Sequence, residues 1–270
     1  MVELENKYQI GLRRFGMINW VGAFSLYKKE VLRFLIVSGQ TLLGPILTSI
    51  LFLVVISLAI GDERRDVLGV PYIEFLANGL IMMQVIQQSF SHSSSSLMMS
   101  KMMGTIVDIV NSPLSAAEVT ISIVFASITR GLLIATISTF IFIIFLDISI
   151  KNYFLWFLYL ILAGLFLGSA GFIAGLYADK FDQMATVTNF LIVPLSFLSG
   201  TFYSIEKLPN ILKSLSYYNP FFHMIDGFRY AFIGYSDGSI LHGILYLTIL
   251  SVIIWYVAFI LYKIGYKIKS

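Results

Sequence analysis

The chain has 270 residues, of which 58% are hydrophobic and 12% charged, about half the charged share of an ordinary soluble domain, roughly 25%. It has no cysteine, which excludes disulfides, thiol catalysis and thiolate metal sites. Its net charge of +3 points to no polyanionic partner such as nucleic acid, and the placement of the charges says more than their sum.

Residues 1–16 are polar and of mixed charge, and are expected on the cytoplasmic surface. They are not read as a cleavable signal, because the short apolar patch at 17–26 runs straight into Lys28-Lys29-Glu30. Residues 17–33 read as an amphipathic helix. Trp20, Phe24, Tyr27, Val31 and Phe34 recur at alternating spacings of four and three, which makes one helical stripe, and Lys28, Lys29 and Arg33 fall off it. An aromatic stripe with basic flanks suits the membrane–water interface. The same pattern also fits a polar lead-in to the first span.

Six apolar stretches follow, at 34–60, 72–99, 118–146, 153–178, 185–203 and 240–262. A bilayer crossing needs about 20 apolar residues. The expected fold is therefore an all-α polytopic membrane protein of six transmembrane helices in one domain, 34–270, with a kink in the first span at Gly44-Pro45. Lys7, Arg13, Arg14, Lys28, Lys29 and Arg33 at one terminus, and Lys263, Lys267 and Lys269 at the other, place both ends in the cytoplasm. The acidic loop 61–70 agrees with that orientation. The loop at Asp179–Gln183, with two Asp against Lys180, speaks against it.

Two connections stand apart. In 100–115, Thr105, Ile106, Ile109 and Val110 form a short apolar face, and Pro113 stops the helix. Such a face either lies on the lipid headgroups or fits a groove in a soluble partner. The outer loop 204–239 is too apolar for water, with Pro209, Asn219-Pro220 and Gly227 breaking it into short pieces. Short apolar helices of that kind suggest re-entry into the outer leaflet, where they must be buried in protein or line a wet cavity.

Inside the spans, Arg130 sits midway through the third, where a charge costs at least about 2.5 kcal/mol. It is either a gate or a polar pin between helices, and Glu74, Glu118 and Asp226 are its candidate partners. Gln84, Gln88, Ser91 and Ser95 share one face of the second span, which either lines a hydrophilic path or bonds to neighbouring helices. Gly164, Gly168, Gly171 and Gly175 in the fourth span read as close helix packing. Tyr203, Tyr217 and Tyr218 belong to an interfacial belt or stack on sugar rings. His92, His223 and His242 lack metal-ligand spacing, and Ser169 lacks the Gly-x-Ser-x-Gly elbow. No Gly-Lys dipeptide occurs, so a phosphate-cradling loop is excluded and any ATP and Mg belong to another chain. Leu198-Ser199-Gly200 matches part of an ATPase signature but lies in an apolar span.

Gly200-Thr-Phe-Tyr-Ser204, Leu208-Pro209, Asn219-Pro220 and Gly227-Phe-Arg-Tyr230 together resemble the C-terminal signature of ABC-2 type permeases. Asn111-Ser-Pro-Leu-Ser115 and Ala178-Asp-Lys-Phe-Asp182 resemble that family's inner loops. The resemblance implies a type V exporter-like dimer, each protomer paired with a cytoplasmic ABC ATPase in a bacterial inner membrane. It assigns ATPase contacts to Lys28 and Lys29 on the interfacial helix, and to Thr105, Ile106, Asp108, Ile109, Asn111 and Pro113 on the coupling segment. It places the fifth span and the outer re-entrant helices beside the translocation path; Asn189 and Tyr203 of that span, the polar-face residues Gln84, Gln88 and Ser91, and Arg130 are the candidate path residues. Pro209, Asn219, Pro220 and Arg229 are its outer re-entrant motif. The substrates it implies are amphiphiles: lipid-linked glycans, polysaccharides, lipids or drugs, moved outward. The alternatives are an ion-coupled secondary carrier, which would need intramembrane ionisable groups, and a membrane enzyme, for which no constellation of carboxylate, His or Ser is found.

Overall fold

The computed structural model describes residues 18–60, 66–146 and 148–268. Residues 1–17 with Lys7, Arg13 and Arg14, loop residues 61–65, and Lys269 lie outside the described residues. Among the described residues the chain is helical, with no strand beyond an isolated bridge between Val67 and Val70. The helices are α1 (Trp20–Ile36), α2 (Gly44–Ile60), α3 (Tyr72–Met102), α4 (Ile106–Asn111), α5 (Ala116–Leu146), α6 (Tyr153–Tyr177), α7 (Phe181–Val187), α8 (Val193–Phe197), α9 (Asn210–Tyr218), α10 (Pro220–Ile233) and α11 (Ile240–Lys263).

Four helical segments are long and apolar enough to cross a bilayer: Gly39–Ala59, Ala116–Leu146, Tyr153–Tyr177 and Ile240–Lys263. Helix α3, the second expected crossing, has the length at 31 residues, but its Gln and Ser residues lower its hydropathy. The fifth expected crossing, 185–203, is helical in its first part, within an unbroken run from Phe181 to Phe197. Helix α7 passes through a π-helical turn, Thr188–Ile192, into α8, which ends at Phe197. A matching π-helical turn, Gly39–Leu43, precedes α2. Each wide turn stands immediately before an X-Pro pair, Gly44-Pro45 and Val193-Pro194. Proline has no N–H and crowds the carbonyl four residues back, so the helix widens there; such turns recur at functional sites. The kink expected at Gly44-Pro45 takes this form.

Helix α3 occupies the centre, against α5 and α6, and its Phe75, Leu76, Ala77, Val85 and Ile86 are fully buried. The glycine stripe of α6 makes the approach possible. A Cβ on Gly171 would stand 2.3 Å from the Phe90 carbonyl oxygen of α3, and one on Gly168 2.1 Å from Ser127 Oγ of α5. Close packing, as read from the sequence, is the use of this stripe.

The bundle has two distinct ends. At one, Leu26 of α1, Ile106 and Ile109 of α4, Leu176 of α6 and Tyr262 of α11 share an apolar cluster. Asp179 bridges Lys101 (3.3 Å) and Lys267 (3.2 Å) there. The two lysines are drawn from distant segments and balance the acidic loop. At the other end, α10 is buried between α3, α6 and α11, while the apolar side of α9 (Ile211, Leu215, Tyr218) stays exposed. Asn219 caps α10 by accepting from Phe221 N (3.0 Å), with Pro220 in the first turn, where its missing N–H costs nothing. Pro209 stands just before α9. Arg229, 1% exposed, donates to the Gly200 carbonyl (2.8 Å) and lies 3.6 Å over the Phe75 ring. The outer motif residues therefore hold the fold together.

Candidate functional site

Helix α1 lies lengthwise on the first half of α5. The backbone N–H of Asn19 donates to Glu118 Oε1 (2.5 Å), Ser122 Oγ donates to the Ala23 carbonyl (2.9 Å), and Tyr27 Oη shares a hydrogen bond with Thr129 Oγ1 (2.8 Å). Helix α5 has 31 residues, about 46 Å at 1.5 Å per residue, against a hydrocarbon core of about 30 Å. Roughly 16 Å of it can stand outside the core, and α1 follows that part. Three of the five residues of the expected stripe face the protein. Phe34 is buried and Tyr27 and Val31 half-buried, but Trp20 and Phe24 are exposed. The inward face runs instead through Leu26, Glu30 and Phe34, one turn apart.

Between α1, the end of α3 and α4 lies a groove of about 640 Å³. Ser25, Leu26, Lys29, Glu30 and Arg33 form its α1 wall, Ser96, Met99 and Ser100 its α3 wall, and Met103, Thr105, Asp108, Ile109 and Pro113 the side toward α4. Asn19 Nδ2 donates to the Pro113 carbonyl (3.0 Å) and so ties the start of α1 to the end of the α4 segment. Ser112, forced to an extended conformation (ψ 153°) before Pro113, ends α4.

The segment 100–115 divides by face. Ile106 and Ile109 are buried, at 5% and 6% exposure, in the chain's own cluster with Leu26, Val119, Phe172 and Tyr262. They pack within the chain, Ile109 also bordering the groove. The open face of α4 is Val107, Asp108, Val110 and Asn111. Of the residues assigned to ATPase contact on this segment, Thr105, Asp108, Asn111 and Pro113 are exposed and Ile106 and Ile109 are buried. Lys29 lines the groove, whereas Lys28 is exposed and is not among its lining residues.

Behind the groove is a buried polar cluster centred on Glu30, which is 0% exposed. Its Oε2 accepts from Ser96 Oγ (2.7 Å) and Arg33 Nε (3.0 Å), and Lys29 Nζ stands 3.9 Å from Oε1. Arg33 also donates to the His92 carbonyl (3.1 Å), and His92 Nε2 lies 3.9 Å from Glu30. Sequence reasoning passed over Glu30, Arg33 and Ser96. The available signal was a carboxylate in register with Leu26 and Phe34, with Arg33 three residues on.

Arg130 pairs with none of its three candidate carboxylates. Glu118 accepts from Asn19 N and Ser115 N, Asp226 from Asp237 N (2.8 Å) and Gly238 N (2.9 Å), and Glu74 lies in the field of Lys151. Arg130 donates instead to Gln88 Oε1 and to the Thr41 carbonyl (3.3 Å). An α-helical turn would aim the N–H of residue 45 at that carbonyl, and Pro45 has none. Arg130 therefore fastens the widened turn before α2 to α3. Gln88 and Ser91 are half-buried on the more open side of α3, whereas Gln84 is buried. Asn189 is exposed on the second wide turn, and Tyr203 donates to the Leu198 carbonyl (3.0 Å). Arg130 forms hydrogen bonds with neither. Among the described residues no group of His, Asp and Glu is arranged to hold a metal; His223 bonds to the Tyr217 carbonyl (2.8 Å).

The family model for ABC-2 type transporters matches residues 22–233. The chain is 33% identical over 218 residues to the inner membrane transport permease YadH of Escherichia coli (strain K12), covering 81% of this chain and 85% of that one. It is 23% identical over 237 residues to nodulation protein J of Neorhizobium galegae, covering 82% and 83% of the two chains.

Proposed function

The chain belongs to the ABC-2 type transporter family and is a transport permease, and on that premise we propose that it is the membrane half of an ATP-driven exporter. A separate ABC ATPase binds ATP and Mg and docks at the end of the bundle that carries α1 and α4, which faces the cytoplasm. Two copies of the chain form the path, and each recruits one ATPase.

One observation carries this reading: a six-residue helix, α4, is fixed by two buried isoleucines on one side and presents Val107, Asp108, Val110 and Asn111 to the outside. A helix this short has no stability of its own. Its buried face holds it in place, and its open face, beside an apolar groove with Lys29 and Asp108 at its edge, suits docking. The six crossings are the four apolar segments together with α3 and the α7–α8 segment. The half-open polar side of α3 (Gln88, Ser91) and the wide turn with Asn189 border the path. Helix α9 lays its apolar side in the outer leaflet, and the cargo is an amphiphile moved outward.

The test is to purify the chain with the ATPase encoded beside it and to measure stoichiometry and ATP hydrolysis, for wild type and Val107→Asp. The reading expects an assembly of two permeases and two ATPases that Val107→Asp disrupts while the membrane domain stays folded. An ion-driven flux by the chain alone, with no ATPase bound, would replace it by the secondary-carrier reading.

A further inference from the structure

We infer that Glu30 is a positioning residue: it is the joint through which displacement of α1 at the groove reaches α3 inside the bundle. Helix α1 is attached to its neighbours in two different ways. Toward α5 it has close packing and the hydrogen bonds of Asn19, Ala23 and Tyr27 along its length. Toward α3, among the described residues, its hydrogen bonds come from Glu30 and Arg33, with the Phe34 ring edge-on to His92 at 5.5 Å. The acceptors and donors on α3 form a column: Gln88, His92 and Ser96 follow at spacings of four, so they share one face. Arg130 of α5 holds the top of this column, Arg33 its middle and Glu30 its foot.

Stability alone does not account for an acid here. An apolar residue of similar size at a buried ion-pair site is often neutral or stabilising. What the carboxylate adds is a directed link. Its Oε2, accepting from Ser96 Oγ, ties a residue that lines the groove to a helix that the groove otherwise touches only at its end. The conclusion that this link transmits work rests on the ATPase-docking reading. The link itself is a property of the chain alone.

The absence of cysteine makes the test direct. Spin labels are placed on Lys28→Cys with Met102→Cys, reporting α1 against α3, and on Lys28→Cys with Phe125→Cys, reporting α1 against α5. Distance distributions are measured in nanodiscs for wild type, Glu30→Ala, Glu30→Gln and Ser96→Ala. Glu30→Ala broadens the α1–α3 distribution and leaves α1–α5 unchanged; Glu30→Gln, which keeps an acceptor oxygen, restores it; Ser96→Ala gives the same broadening without removing a charge. An unchanged α1–α3 distribution, or equal broadening of both pairs, overturns the inference. In the assembled complex, with MgATP alone, Glu30→Ala keeps the wild-type hydrolysis rate. With MgATP and vanadate as probe, the ratio of shifted to unshifted populations in the α1–α3 pair with Met102→Cys falls about tenfold, within the range of ordinary coupling factors. Hydrolysis and shift falling together would mark Glu30 as merely structural. A wild-type chain that recruits no ATPase sinks the docking reading and leaves the distance pairs to decide the joint.

Discussion

Because α4 has a buried and an open face, substitutions two residues apart have opposite consequences. Ile109→Ala removes three carbons from a site 6% exposed. At about 0.8 kcal/mol per buried carbon, with a term for the cavity left behind, it costs about 2–4 kcal/mol. The cluster lies at the end of the bundle, among Leu26, Val119 and Tyr262, so water rather than lipid is the reference for the exposed state. Val107 is 55% exposed, and Val107→Asp alters stability by no more than about 0.5 kcal/mol. Thermal unfolding of the purified chain in detergent, followed by size-exclusion with tryptophan fluorescence, separates the two. Ile109→Ala melts several degrees below wild type, and Val107→Asp melts with it. In pull-downs with the ATPase the order reverses: the Ile109→Ala protein that remains folded still binds, and Val107→Asp does not. A fully stable Ile109→Ala, or a strongly destabilised Val107→Asp, would refute the assignment of the two faces.

Three further outcomes follow from the geometry. Gly171→Ala places a methyl 2.3 Å from the Phe90 carbonyl oxygen and separates α3 from α6; a loss of about 1–3 kcal/mol or more should appear as lower yield and melting temperature, and Ala170→Gly, at a half-buried neighbour, serves as the control. Arg130→Ala frees the Thr41 carbonyl, while Pro45→Ala supplies it with a backbone donor, so a double-mutant cycle on unfolding should show non-additivity of about 0.5–1.5 kcal/mol; strict additivity would separate Arg130 from the wide turn. Hydrogen bonds from Lys267 and then Lys101 hold the Asp179 carboxyl below its ordinary value. The contribution of a depressed carboxylate is complete above the unfolded pKa, about 3.9, and is lost as pH falls through the folded value. Hydrogen exchange in the 264–268 turn should therefore be insensitive to this group at neutral pH and rise on acidification below that range, and Asp179→Asn should remove the acid dependence.

Much of the fold was legible because apolar length is a strong signal. The third, fourth and sixth stretches begin and end within about two residues of α5, α6 and α11, the ordinary uncertainty of helix ends. The fifth is one helical run only as far as Phe197, although its apolar residues continue beyond, and nothing in hydropathy reports that Pro194 widens the turn before it. The aromatic stripe of α1 shares Phe34 with the inward face but elsewhere differs from it, because that face carries the carboxylate of Glu30, which an apolar pattern does not pick out. The partner of Arg130 was sought among carboxylates because charge pairing is the simplest rule. A guanidinium can equally be satisfied by an amide and a backbone carbonyl, and which carbonyl lacks a donor depends on a proline 85 positions away in sequence. The two lysines of Asp179 come from α3 and from beyond α11, pairings that a count of charge within one loop does not report. On α4 the expected apolar face divides, with Ile106 and Ile109 buried and Thr105 and Val110 exposed, because an apolar pattern does not say what covers each residue.

The central claim, that an ABC ATPase docks on the open face of α4, is tested most directly by a photo-crosslinking amino acid at Asp108 in native membranes, with one at Tyr218, exposed at the opposite end, as control. The account predicts an adduct at Asp108, absent at Tyr218, whose captured protein contains a phosphate-binding loop of the Gly-x-x-x-x-Gly-Lys-Ser/Thr type. Lipid alone at Asp108, or the ATPase captured only at Tyr218, would contradict it.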